Sequence, residues 1–439
     1  MENLLKLEPA DVRGNILLGE VFLARKEGKK AVAQFQKLTA MAPESAQARY
    51  KLGLAYMLAG DDEPAALELQ KAKSLAPELA EVGLALAELK MKSGKTQEAI
   101  KDLENLILRK PEFVPAYIAL GRIYLSKGDR EKASETFSKI AGIAPKDPRG
   151  PYYMGIVHNA RHETEPARQQ FEKALALDPG YAEALDQLVL MDVAAGKPEA
   201  ALERVLRQAR IAPDSFEIQF ILGSLYLKMN RPDDAKAAFT KALAINPGYA
   251  RACVELSRIY MMGGQYRDGI GVLEKALNSR PAPDDEQLLM MLMGIAYEQM
   301  KDFPAAAKWY EKVIAANPAH APALNNLAYI HLERFGDPET AHGYARRAYE
   351  AAPDDPSIAD TLGWILYRKG DYPGALNLLV QNASRLSDSG EALYHLGMAH
   401  YKAGNEAEAK VWLENALDLD PGFNGADEAR QVLSKLPAD

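Results

Sequence analysis

The sequence predicts an all-α fold, an elongated solenoid of stacked helical hairpins, and three observations carry that reading. A small or apolar residue preceded by Leu or Met returns every 34 residues, at Gly19, Gly53, Ala87, Gly121, Gly155, Val189, Gly223 and Ser257. It resumes at Gly294, Ala328, Gly363 and Gly397, which makes twelve copies. An alanine stands twelve residues after this anchor in most copies, from Ala31 and Ala65 to Ala375 and Ala409. A proline closes eleven of the twelve, from Pro43 to Pro421, with Ser387 near the place of the missing one.

Each copy reads as two amphipathic helices of about a dozen residues, with Leu, Tyr and Ala at helical spacing. The small anchor lets the first helix approach the second, and the alanine does the same from the partner side. Pairs such as Gly60-Asp61, Gly94-Lys95, Gly128-Asp129 and Asn230-Arg231 mark the turn between the two helices. Proline ends the second helix, because it lacks an N–H donor and restricts the residue before it. One hairpin cannot bury its apolar face alone, so neighbouring copies must stack into a continuous core.

Taken in order, residues 1–11 read as the tail of a preceding repeat, since Pro9 lies 34 residues before Pro43. The expectation is therefore of a chain cut from a longer array. Residues 12–281 hold eight copies in strict period. The stretch Pro281-Ala282-Pro283-Asp284-Asp285-Glu286 adds three residues, which makes Arg280–Glu286 the expected joint, and residues 282–421 hold copies nine to twelve. Copy ten adds one residue near Phe335-Gly336-Asp337, and copy eleven replaces its proline with the softer Ser384–Gly390. Residues 422–439 read as a capping helix with polar Asp427, Glu428, Arg430 and Lys435 on its outside.

This period, with these residue types recurring together, resembles the tetratricopeptide repeat family over essentially the whole chain. The resemblance implies a right-handed α-solenoid superhelix and a concave groove lined by the first helix of each pair, in which protein or peptide partners are held. The groove positions it implies are six, three and two residues before the anchor and one, four and five after it. They give Tyr152, Tyr153 and Phe220 in the first half and Asn325, Asn326, Tyr329, Asp360, Trp364, Arg368 and Tyr394 in the last three copies. Such aromatic side chains with scattered hydrogen-bonding groups make binding hot spots. Two groove chemistries of the family do not fit: no Lys stands three before any anchor, as the chaperone-tail clamp needs, and only Asn326 matches the asparagine ladder of sugar-transferring members. The run from Asn325 to Tyr329 and from Ala359 to Gly370 looks like bacterial repeat proteins of exopolysaccharide export and surface-protein sorting.

A formal charge of −8 with both signs interspersed argues against a nucleic-acid surface. No run of about 18 apolar residues predicts a membrane span. The single cysteine, Cys253, sits four residues before the Ser257 anchor, where a small side chain packs between helices, and it offers neither a disulfide nor a metal signature. Cysteine usage does not separate cytoplasm from periplasm. His158 and His162 are four apart, but His158 takes a position held elsewhere by Tyr, and His162 falls in a turn. No catalytic triad, phosphate loop, metal set or cofactor motif is readable. The sequence therefore points to a non-enzymatic binding scaffold. Two alternatives stand beside it: homo-oligomeric self-assembly through the cut edge of the array and the methionines around the insertion (Met261, Met262, Met290, Met291, Met293, Met300), and a substrate-recruiting arm of a larger enzyme.

Overall fold

The computed structural model describes residues 11–437, so the segment read as the tail of a preceding repeat lies, but for Asp11, outside the described residues. The described residues hold 25 α-helices and one 3₁₀ turn, with no strand among them. The fold is the expected all-α solenoid of hairpins. The first hairpin pairs Val12–Ala24 with Gly28–Met41 and the third pairs Ala80–Lys92 with Thr96–Arg109. The seventh pairs Phe216–Lys228 with Pro232–Ile245 and the twelfth pairs Gly390–Lys402 with Glu406–Leu419. Ala426–Leu433 follows as a final short helix.

Local chemistry explains where the helices begin and end. Side-chain oxygens of Asp11, Ser45, Asp129, Ser215 and Ser389 accept backbone N–H groups of the first helical turn, satisfying donors that have no partner within the helix. The turn inside each hairpin needs a left-handed residue, supplied by Gly60, Gly94, Gly128, Gly196, Gly370 and Gly404. Lys26, His162, Asn230 and Lys301 adopt the same conformation with φ of 56–63°. Second helices stop one residue short of the residue before the closing proline, as at Met41 before Pro43 and Leu75 before Pro77. Where copy eleven lacks its proline, the helix Tyr372–Asn382 ends instead in the 3₁₀ turn Ala383–Arg385.

The core is made where anchor meets partner helix. Sixteen residues after the anchors stand Phe35, Leu69, Phe137, Phe171, Phe239, Tyr310, Leu379 and Leu413, all at 3% exposure or less. A Cβ added at Gly19 would lie 2.5 Å from Phe35 Cζ, and one at Gly223 would lie 2.5 Å from Phe239 Cε1. The ring thus occupies the volume that glycine leaves. The alanines twelve residues after the anchors, among them Ala31, Ala65, Ala133 and Ala409, are fully buried.

The chain divides into two compact units. One runs to Ile259 and includes Asn278–Asp285; the other comprises Tyr260–Leu277 and Glu286–Asp439. The insertion expected as a joint is largely helical. Pro283 opens a helix to Gln299 of 17 residues, against 13 in first helices such as Phe216–Lys228. Proline suits a first helical position, where its missing N–H costs nothing, so the added residues are wound into an extra turn. Of the six methionines nearby, Met290 and Met293 are buried, and Met262 is 83% exposed.

Candidate functional site

In the N-terminal unit the first helices of hairpins five and seven, with the loops that close those hairpins, carry two groups of packed rings. Tyr152 packs edge-on to Tyr153 at 5.2 Å and to Tyr181 at 5.4 Å. Tyr153 stacks on Phe137 at 4.8 Å. Phe220 packs edge-on to Tyr249 at 5.3 Å, and Tyr249 to Phe216 at 4.8 Å. The guanidinium of Arg251 lies over the Phe220 ring at 4.5 Å.

One pattern explains these pairs. Tyr152, Phe220 and Tyr394 each stand three before a glycine anchor, and each meets an aromatic residue 29 positions on: Tyr181, Tyr249 and Phe423. All three partners follow the proline that closes the repeat, in Pro179-Gly180-Tyr181, Pro247-Gly248-Tyr249 and Pro421-Gly422-Phe423. The ring of one copy is thus clasped by the loop leading into the next. That Pro-Gly-aromatic string is legible in the sequence, and it is the signal by which Tyr181 and Tyr249 are found.

Beside two of these clasps the surface opens into a recess of about 390 Å³. Phe220, Ile221, Tyr181 and Tyr249 give it apolar walls, and Asp178, Glu183, Asp186 and Glu217 bring four carboxylates against the single cation of Arg251. Asp178 Oδ1 is held by the Gly180 N–H at 2.8 Å, and Glu217 accepts the Ser215 hydroxyl at 3.0 Å. Glu183 and Asp186 are exposed. Burial, and after it the charge of Glu183, raises the Tyr181 phenol well above its ordinary value. Burial likewise raises Tyr152 and Tyr249, so these hydroxyls stay protonated donors. The recess offers a cation both ring faces and anionic oxygens. A second recess of about 370 Å³ on first helices lies between Glu88 and Met91 of hairpin three and Arg122 and Ser126 of hairpin four.

In the C-terminal unit the aromatic residues named from the sequence are mostly used up by packing. Three of the rings expected as partner contacts are buried: Trp364 at 7% exposure and Tyr394 at 2% here, and Phe220 at 9% in the N-terminal unit. Trp364 is sandwiched between Tyr367 at 4.7 Å and His395 at 4.2 Å, and its Nε1–H donates to Glu333 Oε1 at 3.0 Å. Arg368 donates to the same oxygen at 2.9 Å while remaining exposed. Tyr394 donates to Glu428 of the final helix at 2.7 Å and packs on Phe423. Asp360 Oδ2 meets His395 Nδ1 at 2.9 Å. Asn326 bonds the Tyr310 phenol, and Arg334 lies over Tyr329 at 5.9 Å. Asn325 Oδ1 and Asp360 Oδ1 are buried without a hydrogen-bond partner among the described residues. Position along a helix gives no sign that large rings such as Trp364 and Tyr394 lean onto the side chains that follow them in the chain.

Other candidates read from the sequence sit as follows. His158 pairs with Glu163 through Nδ1, and His162 is in the left-handed turn. Cys253 is 1% exposed, and burial pushes its thiol up to about 11. Among the described residues no group of three His, Cys, Asp or Glu side chains is placed to hold a metal. No described helix is long and apolar enough to cross a membrane.

Comparison with known proteins adds the following. The chain is 32% identical over 200 residues to a tetratricopeptide-repeat-containing protein of Pseudomonas aeruginosa, covering 43% of this chain and 32% of that protein. It is 23% identical over 245 residues to the BBSome complex member BBS4 of Bos taurus, covering 56% of this chain and 46% of that one. The chain thus spans a third to a half of these relatives' lengths. Among solved structures, the APC/C hetero-tetramer Cut9–Hcn1 aligns over 98% of this chain and 97% of that one, at 13% identity and a TM-score of 0.45. MamA aligns over 39% and 94%, at 25% identity and a TM-score of 0.32. Tetratricopeptide repeat models match residues 16–80, 90–150, 187–250, 226–292, 291–356 and 390–423. With these matches spread over most of a chain built from stacked 34-residue hairpins, the protein belongs to the tetratricopeptide repeat family.

Proposed function

We propose that this chain is a non-enzymatic protein-interaction scaffold that holds an extended, cationic segment of a partner protein against the first helices of its N-terminal unit. The observation that carries this is the recess between Tyr181, Phe220 and Tyr249, which pairs aromatic walls with the exposed carboxylates of Glu183 and Asp186. Arg251 on the Phe220 ring is an internal example of the contact a partner's arginine or lysine would make. Tyr152 and Tyr153 extend the same aromatic surface toward hairpin five. A protein named as a member of a multiprotein complex among the relatives supports the scaffold reading. In the C-terminal unit, Asn325, Asn326, Tyr329, Asp360 and Arg368 are the polar groups a partner would meet, with Trp364 and Tyr394 as their support. We further take the scaffold to work in a bacterial envelope assembly linked to exopolysaccharide export, on the resemblance of the Asn325–Gly370 run.

The test is a fluorescence-anisotropy titration with a labelled peptide of alternating glycine and arginine or lysine. Binding should weaken as salt rises, because exposed charges are screened over about 10 Å at 0.1 M. It should be lost when Glu183, Asp186 and Glu217 are all changed to Lys in a protein whose helicity is unchanged. Equal binding by parent and variant would refute the proposed site.

A further inference from the structure

A third recess, about 540 Å³, lies between the two helices of hairpin three and the loop before them. Its origin is a missing side chain. Four residues before the anchor, hairpin two carries Arg49, whose Nε–H donates to the Pro43 carbonyl at 2.8 Å and whose Nη1–H donates to Glu68 Oε2 at 2.8 Å. Hairpin four carries Tyr117 at this place, donating to the Pro111 carbonyl at 3.0 Å. Helix Ala250–Met262 carries Cys253, whose thiol points to the Pro247 carbonyl at 4.0 Å. Three times, then, a donor side chain reaches back to the proline that closed the previous repeat.

In hairpin three the same place is Gly83, and the recess stands where the side chain would be. The acceptors of the Arg49 arrangement recur around it. Pro77 lies six residues before Gly83 as Pro43 lies before Arg49, and Asp102 lies nineteen after it as Glu68 does; both line the recess. Glu68 gives one oxygen to Lys71 and the other to Arg49. Asp102 gives Oδ2 to Lys90 at 2.8 Å, and its Oδ1 has no partner among the described residues. A Cβ at Gly83 would meet nothing nearer than Leu106 Cδ2 at 3.4 Å, so the way in is open.

We propose that this recess receives the guanidinium of a partner's arginine, which completes from outside the arrangement that Arg49 completes from within. Planar guanidinium suits the paired acceptors, a carbonyl and a carboxylate, better than a point-like ammonium does. The rim also carries Lys73, Arg109 and Lys110. The matching partner segment therefore has acidic residues on either side of its arginine. This site is separate from the proposed cation-binding face, and neither stands or falls with the other.

The probe is the capped peptide Gly-Glu-Arg-Glu-Gly, followed by the backbone amide of Gly83 and the side-chain amide of Asn105 in nitrogen–proton spectra of the whole chain. Both signals should shift and saturate, and replacing the peptide's arginine with lysine should weaken binding about fivefold, the worth of one hydrogen bond. Gly83→Arg should abolish the shift at Asn105 and raise the melting temperature, since the chain then supplies its own guanidinium. Gly83→Ala should leave binding intact, and Asp102→Asn should weaken it in a protein with unchanged helicity. No shift at saturating peptide, equal binding of arginine and lysine peptides, or retained binding by Gly83→Arg would each overturn the proposal.

Discussion

Two buried polar residues show how single side chains set the behaviour of their repeats. Asp192 is 4% exposed and lies between Arg168 at 2.7 Å and Arg204 at 2.9 Å. Burial raises its carboxyl, but the hydrogen bonds from Arg204 and Arg168 outweigh it and hold the group below the usual carboxylate value. Asp192→Ala leaves the half-buried Arg168 without this anion and Arg204 with Glu172 alone, and is expected to cost about 3 kcal/mol, read by urea denaturation. His400 is 9% exposed, its Nδ1 faces the Asn405 side-chain amide, and burial lowers its pKa below 6.5 despite the charge of Glu408. Well above pH 6.5 the imidazole is neutral in folded and unfolded chains alike, so it contributes no pH dependence there. Below 6.5 the unfolded chain takes up the proton first, and stability falls with pH until the folded pKa is passed. Melting curves between pH 5 and 7.5 should show this slope, and His400→Gln should flatten it.

At the scale of the element, the hairpin depends on a ring or leucine filling the space over a glycine. A Cβ at Gly155 would stand 2.5 Å from Phe171 Cε1, and Phe171 is fully buried with no room to retreat. Gly155→Ala should therefore destabilise by about 1–3 kcal/mol, a loss measured by chemical denaturation. The aromatic clasp of the last hairpin makes a second case. Tyr394→Ala removes the tilted ring contact with Phe423 and the bond to Glu428, and should cost about 3–5 kcal/mol, with early loss of protection in Ala426–Leu433 by hydrogen exchange. This element shows where sequence reading runs out. The anchor, the alanine, the proline and the turn were all legible, because each recurs every 34 residues for a steric reason. Trp364 and Tyr394 were expected to meet a partner, yet both are buried against neighbouring side chains: Phe423 carries the Pro-Gly-aromatic signature, but His395 and Glu428 have no such signal in the sequence.

For the molecule as a whole, periodicity fixes the architecture, and the proposed contact sites lie at departures from it. Gly83, the loop aromatics Tyr181 and Tyr249 and the carboxylates at Glu183, Asp186 and Glu217 are deviations from the common repeat, and each lines an open recess. A net charge of −8 is compatible with a cationic partner, and the recess concentrates that sign beside the half-buried rings of Tyr181 and Tyr249. The most direct test of this account is hydrogen–deuterium exchange of the whole chain with and without a saturating glycine–arginine–lysine peptide. The account predicts slowed exchange confined to 178–186, 216–221 and 249–252. Protection centred instead on 360–368 and 390–398, with none around Tyr249, would contradict it.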